Sequence, residues 1–171
     1  MSDDRPTPAW LTPVNELLAN EPTWDVPSPP VTPEEGRELL RRINAPGGAQ
    51  LPLNASEREF ISSEPAVRDK EHVERLHQAL EQDGEDGLYV RGIRAGLAYA
   101  EGRTPAPLTG YHPRELPRCA DLREEAALGN ESLQGALDEP FPHPQDYVVG
   151  VEATCLWLIC HTDMPPIDLD T

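Results

Sequence analysis

The chain has 171 residues, 14 basic and 31 acidic side chains, and a formal net charge of −17 with histidine neutral. That length fits one domain able to bury roughly 70% of its unfolded surface, and the charge leaves no basic face for nucleic-acid phosphates or an anionic membrane. With 20 prolines and 37% hydrophobic residues, the core is expected to use only part of the chain.

Residues 1–31 contain Pro6, Pro8, Pro13, Pro22, Pro27, Pro29 and Pro30. Each removes a backbone donor and restricts the residue before it, so an extended arm is expected. Within it, Thr12 and Pro13 suit the N-cap and first position of a short helical turn carrying Val14, Leu17 and Leu18. Trp10 and Trp24 flank that turn. Two indoles in a polar arm need an apolar surface, on the body of the protein or on a partner, which makes Trp10, Leu17, Leu18 and Trp24 the candidate partner-binding residues.

The body is expected to be all-α, a compact bundle of about six helices over residues 32–162 with an acidic tail at 163–171. Thr32-Pro33-Glu34-Glu35 reads as a capping box opening a helix that ends near Asn44, with Leu39, Leu40 and Ile43 as its apolar stripe. A second box, Ser56-Glu57-Arg58-Glu59, starts a short helix that Pro65 kinks or ends. From Ala66 to Gln82, Val73, Leu76 and Leu80 recur at helical spacing. The acidic run 81–87 lacks the ligand spacing of a calcium loop and reads as a linker. Further helices are expected over 88–101, over 120–128 where Gly129 stops it, over 131–137 and over 146–160. No alternating run of β-branched residues competes with them.

Residues 89–95 (Tyr-Val-Arg-Gly-Ile-Arg-Ala) and 147–153 (Tyr-Val-Val-Gly-Val-Glu-Ala) align without a gap at an offset of 58. Across residues 89–108 six of twenty positions are identical, where about one or two would match by chance. We read a two-copy helix repeat marked by Tyr89, Gly92 and Ala95 and by Tyr147, Gly150 and Ala153. A mid-helix glycine costs roughly 1 kcal/mol against alanine, so one at the same place in both copies implies close approach of another backbone. The pattern Tyr-Val-x-Gly followed by Ala, an aromatic residue, Thr and Pro looks like that of small proteins of actinobacteria and their phages. The resemblance covers two stretches of about twenty residues and implies no activity. The use of 13 arginines against the single Lys70 fits GC-rich coding and carries no chemistry.

Cys119, Cys155, Cys160 and His161 could supply soft zinc ligands, but they match no paired-cysteine spacing, and the aligned positions in the first copy hold Leu97, Gly102 and Arg103. Buried small hydrophobes are expected instead, with no metal and no cofactor. His72 and His77 are five apart and do not share a helix face in the way an i,i+4 zinc pair does. No nucleophile elbow, phosphate loop or cysteine–histidine signature is present, so no catalytic residue is assigned. Residues 1–30 hold no apolar signal segment, and the stretch 147–160, interrupted by Glu152, is too short to span a bilayer. A cytoplasmic protein is expected. The leading function is a non-enzymatic acidic protein that binds a protein partner, as an adaptor, inhibitor or component of a larger assembly, without binding nucleic acid or membrane directly. A DNA-mimic inhibitor of a nucleic-acid-binding protein comes second, although carboxylates interleaved with arginines, as in Glu64 with Arg68, spoil the unbroken rows a mimic needs. A small metal-dependent enzyme is third.

Overall fold

The computed structural model describes residues 29–84 and 86–169. These hold six α-helices and no strand: α1 (Pro33–Asn44), α2 (Ala55–Ser63), α3 (Lys70–Asp83), α4 (Leu88–Ala100), α5 (Cys119–Leu133) and α6 (Gln145–Leu158), with a 3-10 turn at Gly48–Gln50. The helix at 12–18 expected in the arm lies outside the described residues.

Each helix start has a local cause. At α1 the Thr32 hydroxyl accepts from the Glu35 backbone N–H while the Glu35 carboxylate accepts from that of Thr32 at 2.8 Å, which satisfies two of the donors a helix leaves orphaned. Helix α2 starts two residues earlier than the Ser56 box implies. Asn54 is the cap, its Oδ1 accepting from Glu57 N and Glu57 Oε2 accepting from Asn54 N, both at 2.9 Å. The helix ends at Ser63, because Glu64 before Pro65 is extended with φ −79° and ψ 153°.

The third helix begins at Lys70, four residues after the periodicity suggested. Residues 65–69 are held out of the helix by tertiary bonds: the chain bends at Arg68, and the N–H groups of Val67 and Arg68 both donate to Leu158 O, at 3.1 and 3.0 Å. The Asn44 side chain donates to Val67 O at 2.8 Å and accepts from Asp69 N at 2.8 Å. Helix α5 runs unbroken through Gly129, which was expected to stop it. That glycine is buried against α6, where a Cβ would stand 3.3 Å from Glu152 Cβ and 3.4 Å from Val148 Cγ1. The separate helix expected at 131–137 is therefore the end of α5 plus a turn in which Gly135 takes φ +67°.

The core sits around α4 and α6, which cross in the middle of the body. A Cβ on Gly92 would lie 3.1 Å from Gly150 Cα and run into the carbonyl oxygen of Tyr147. One on Gly150 would lie 3.1 Å from Gly92 Cα and run into that of Tyr89. The close approach that the glycines implied is present, and the contacts are reciprocal. Ile93, Leu97, Val148, Val151 and Cys155, each at most 1% exposed, fill the space beside the crossing. The two helices also finish alike. Arg103 N bonds to Ala98 O and Gly102 N to Tyr99 O, while His161 N bonds to Leu156 O and Cys160 N to Trp157 O. The left-handed residues are Gly102 (φ +70°) and Cys160 (φ 55°), the latter the one non-glycine with positive φ among the described residues.

Residues 163–169 run back over the body. Asp163 accepts from the backbone N–H groups of Gly47 and Ala49 at 2.9 and 3.3 Å, and the Tyr89 hydroxyl donates to Pro166 O at 2.5 Å. Ile167 and Leu169 pack on the core.

The crossing makes a sharp prediction. Gly92→Leu and Gly150→Leu each set a side chain against backbone that cannot yield, so each should lower stability by about 1–3 kcal/mol or more despite leucine's better helix propensity. Thermal and urea unfolding check it, and unchanged midpoints in both variants would remove the close-packing account.

Candidate functional site

The residues singled out from the sequence separate into three groups. Trp10, Leu17, Leu18 and Trp24 lie outside the described residues. The marker residues of the two similar helices do meet, at the α4–α6 crossing, but as packing. Tyr89, Ala95, Tyr147 and Ala153 are half-buried there, and Gly92 and Gly150 are fully so. The two tyrosines have different surroundings: Tyr89 bonds to Pro166 O, whereas the Tyr147 ring stacks on His143 with centroids 5.4 Å apart and an interplanar angle of 26°. Burial pushes both phenols up.

The cysteines form the third group. Cys119, Cys155 and Cys160 are free thiols, 0, 0 and 6% exposed. Burial pushes Cys119 up to about 12, with Cys160 and Glu64 adding and the Val67 backbone and Arg123 opposing. Burial likewise pushes Cys160 up to about 11 against the pull of Arg68, and drives Cys155 higher still, with Glu125 and Glu152 adding to it. The thiolate is the form that attacks or ligates, and burial disfavours it at all three sulfurs, which sit as packing groups in the core. Among the described residues no group of three or more His, Cys, Asp or Glu is placed to hold a metal ion.

Polar side chains buried in the body serve the chain itself. Glu125 on α5 is 1% exposed and accepts from the backbone N–H groups of Leu108 and, at 3.2 Å, Thr109, which ties the loop after α4 to α5. Thr154 on α6 donates to Gly150 O at 2.8 Å, satisfying its hydroxyl within the helix. Near the surface, His77 Nε2 lies 2.6 Å from a Glu101 carboxylate oxygen whose partner oxygen takes Arg103 at 2.5 Å. Burial would raise the Glu101 carboxyl, and the hydrogen bonds from His77 and Arg103 outweigh it, holding it below the ordinary glutamate value.

Sequence reasoning missed Arg68, which it placed on the surface beside Glu64. Its side chain is 8% exposed, with the guanidinium carbon 5.0 Å from the Trp157 ring centroid. Its Nε donates to Trp157 O at 3.0 Å and Nη2 to Thr162 O at 2.6 Å. Periodicity assigned residues 66–69 to a helix, where position 68 would face solvent. Only the non-helical path of residues 65–69, bent at Arg68, turns this arginine inward.

Exposed apolar side chains occur on the connection between α4 and α5. Tyr111 and Leu116 are 53 and 52% exposed, and Leu116 borders a groove of about 400 Å³ with Thr104, His112 and Pro113. No helix among the described residues is long and apolar enough to cross a membrane. No protein-family model, curated protein or solved structure matches this chain.

The thiols and the fold should respond together. A thiol reagent at neutral pH should leave all three cysteines unmodified in the native protein and modify all three in denaturant, and exhaustive dialysis against a chelator should leave the thermal midpoint where it was. Rapid native labelling would show that the thiols are accessible and not packed in the core, and zinc in stoichiometric amount lost together with stability would show that the sulfurs are ligands.

Proposed function

We propose that this chain is a non-enzymatic acidic binding protein of the cytoplasm, engaging a protein partner through its N-terminal arm as an adaptor, inhibitor or part of a larger assembly. The observation that carries the reading over the alternatives is the pairing of surface charge. Glu38 pairs with Arg41 at 2.6 Å, Glu57 with Arg42 at 3.3 Å, and Asp86 with Arg91 and Arg94 at 2.6 and 3.6 Å. Guanidinium groups standing between the carboxylates break up the continuous rows by which a protein imitates a phosphate backbone, so the DNA-mimic reading is the weaker one. A metal-dependent enzyme would need thiolates or convergent carboxylates, whereas Glu125, Thr154 and Arg68 are engaged in holding backbone and Glu101 is paired with His77 and Arg103.

Three further points support the reading. The free buried thiols suit a reducing compartment. Tyr111 and Leu116 offer apolar contact area on an otherwise charged surface, of the kind a partner covers. The arm carries two of the three tryptophans of the chain, the residue type most enriched in binding hot spots. We also read the two helix segments at 89–95 and 147–153 as copies of one unit, a reading that the reciprocal contacts at Gly92 and Gly150 favour.

The test is binding of the full chain and of a variant lacking residues 1–30 to the partner recovered by pull-down and identified by mass spectrometry. The deletion removes five acids and one arginine, a change of +4 against −17. An arm-driven complex should weaken at least tenfold, about 1.4 kcal/mol, with modest salt dependence. A complex that tolerates the deletion and collapses between low and moderate salt would be driven by the acidic surface, and competition with DNA for the same partner would establish a mimic.

A further inference from the structure

A recess of about 90 Å³ opens between α2, α5 and the turn that ends α6, bordered by Ile43, Ile61, Ile159, Arg58, Arg123 and His161. The three isoleucines are at most 4% exposed, whereas the two arginines and the histidine are exposed. The floor is therefore apolar, and the basic side chains stand at the mouth, open to solvent and to a ligand. Their positions are fixed by the fold. Ser62 lies one turn after Arg58 on α2, and Arg123 Nη1 donates to Ser62 Oγ at 3.1 Å, which holds the guanidinium of α5 over the face of α2 that carries Arg58. Arg58 Nη1 donates to Leu53 O. Among the described residues each guanidinium thus spends one nitrogen on the protein and keeps Nε and Nη2 for a ligand.

No carboxylate answers these charges. Elsewhere on the body arginines stand beside acids, as Arg41 does with Glu38, Arg91 with Asp86 and Arg103 with Glu101. Arg58 and Arg123 form no ion pair with a described residue, and no described carboxylate lines the recess. Their own helices cannot supply one: the positions three and four away from Arg58 are Asn54, Ala55, Ile61 and Ser62, and those around Arg123 are Cys119, Ala120, Ala126 and Ala127. Two like charges held over an apolar floor repel, and an anion between them turns that repulsion into attraction. In a chain of net charge −17, such a gathering of cations without acids is the exception on the surface.

We propose that this recess binds a single phosphate group, as inorganic phosphate or as the head of a small phosphomonoester, its oxygens accepting from Arg58, Arg123 and His161 and any ester body lying in solvent. The volume equals about three waters at ~30 Å³ each, room for one compact oxyanion. A phosphomonoester carries about −1.5 to −2 at neutral pH and three acceptor oxygens, which match two guanidinium charges and three donor side chains better than the two oxygens and single charge of a carboxylate. A nucleic-acid backbone would need a row of such sites, which the overall charge denies. The proposal rests neither on the partner reading nor on the arm.

Inorganic phosphate is the probe, titrated by calorimetry at constant ionic strength. It should bind saturably and raise the melting temperature, acetate should bind at least tenfold more weakly, and chloride should have no effect. Arg58→Gln and Arg123→Gln should keep the fold and each weaken phosphate at least fivefold, and His161→Ala at least twofold. Arg37→Gln removes the same charge from an exposed position outside the recess and should leave the affinity unchanged. Methyl phosphate separates the two sources: an affinity equal to or above that of inorganic phosphate assigns the site to an ester, a lower one to the free anion. If Arg58→Gln does not fold, because Leu53 O has lost its donor, the comparison of Arg123→Gln with Arg37→Gln decides. No saturable binding, equal binding of acetate, or equal losses in Arg37→Gln and Arg123→Gln would overturn the proposal, the last by showing that overall charge and not the recess governs the anion.

Discussion

The backbone contact between α4 and α6 at Gly92 and Gly150 is the constraint on which the rest of the body depends. With a carbonyl of each helix standing where the other helix would carry a Cβ, the two axes approach more closely than side chains of ordinary size allow. Helix propensity is given up at both positions, and the return is dispersion contact along the whole crossing between well-packed interiors. Because the contact is between main chains, no rotamer change can relieve an added atom, which makes these two positions intolerant in a way that neighbouring aliphatic positions are not. The same device recurs against side chains at Gly36, where a Cβ would run into the Phe60 ring, at Gly96, where it would stand 3.1 Å from Thr154 Cβ, and at Gly129, where α5 approaches Glu152 and Val148 of α6.

Beside the apolar packing of the other helices in the same core, polar bonds to the backbone tie the irregular segments of the body together. Leu158 O, at the end of α6, accepts two N–H groups from the segment before α3, and Glu64 O accepts Cys119 N at 2.7 Å at the start of α5. Glu125 brings down the loop after α4, and Asp163 fixes the turn after α1 to the C-terminal segment. These bonds link parts of the chain far apart in sequence, and each satisfies a backbone group that irregular structure would otherwise leave buried and unpaired. An acidic protein can use its carboxylates in this way, as acceptors for its own main chain, and that accounts for part of the excess charge without any partner.

Local chemistry made most helix positions legible, and tertiary bonds explain the departures. The Thr32 box and the apolar stripes of α1 and α3 depend only on neighbours within one or two turns, so propensity and spacing were sufficient. The start of α2 was displaced because asparagine caps as well as serine, and the reciprocal Glu57 lies three residues after Asn54 rather than after Ser56. Residues 66–69 have a helical pattern, but two N–H groups drawn to Leu158 O and a saturated Asn44 side chain outweigh a preference of a few tenths of a kcal/mol per residue. At Gly129 a residue that ordinarily ends a helix is retained inside one because it faces another helix. Each departure lies where a residue from a distant element supplies the deciding contact, which no periodicity within a single window contains.

That origin also explains why the burial of Arg68 was invisible in the sequence. A lone arginine between Glu64 and a helical run has the surroundings of a solvated side chain, and in a chain of net charge −17 a buried cation is the last thing composition suggests. Its burial follows from the bent, non-helical path of residues 65–69, which is held by the bonds to Leu158 O at the end of α6, one of the two crossing helices. A long-range packing constraint thus sets a local backbone conformation, and that conformation determines which side chain faces inward. The acidic surface does not neutralise Arg68, because charges on the solvent side are screened over about 8–10 Å at physiological salt, while a group inside the body responds mainly to what touches it. Overall charge therefore describes how this protein meets solvent, and the chemistry of the buried Arg68 guanidinium has to be argued from the few atoms around it.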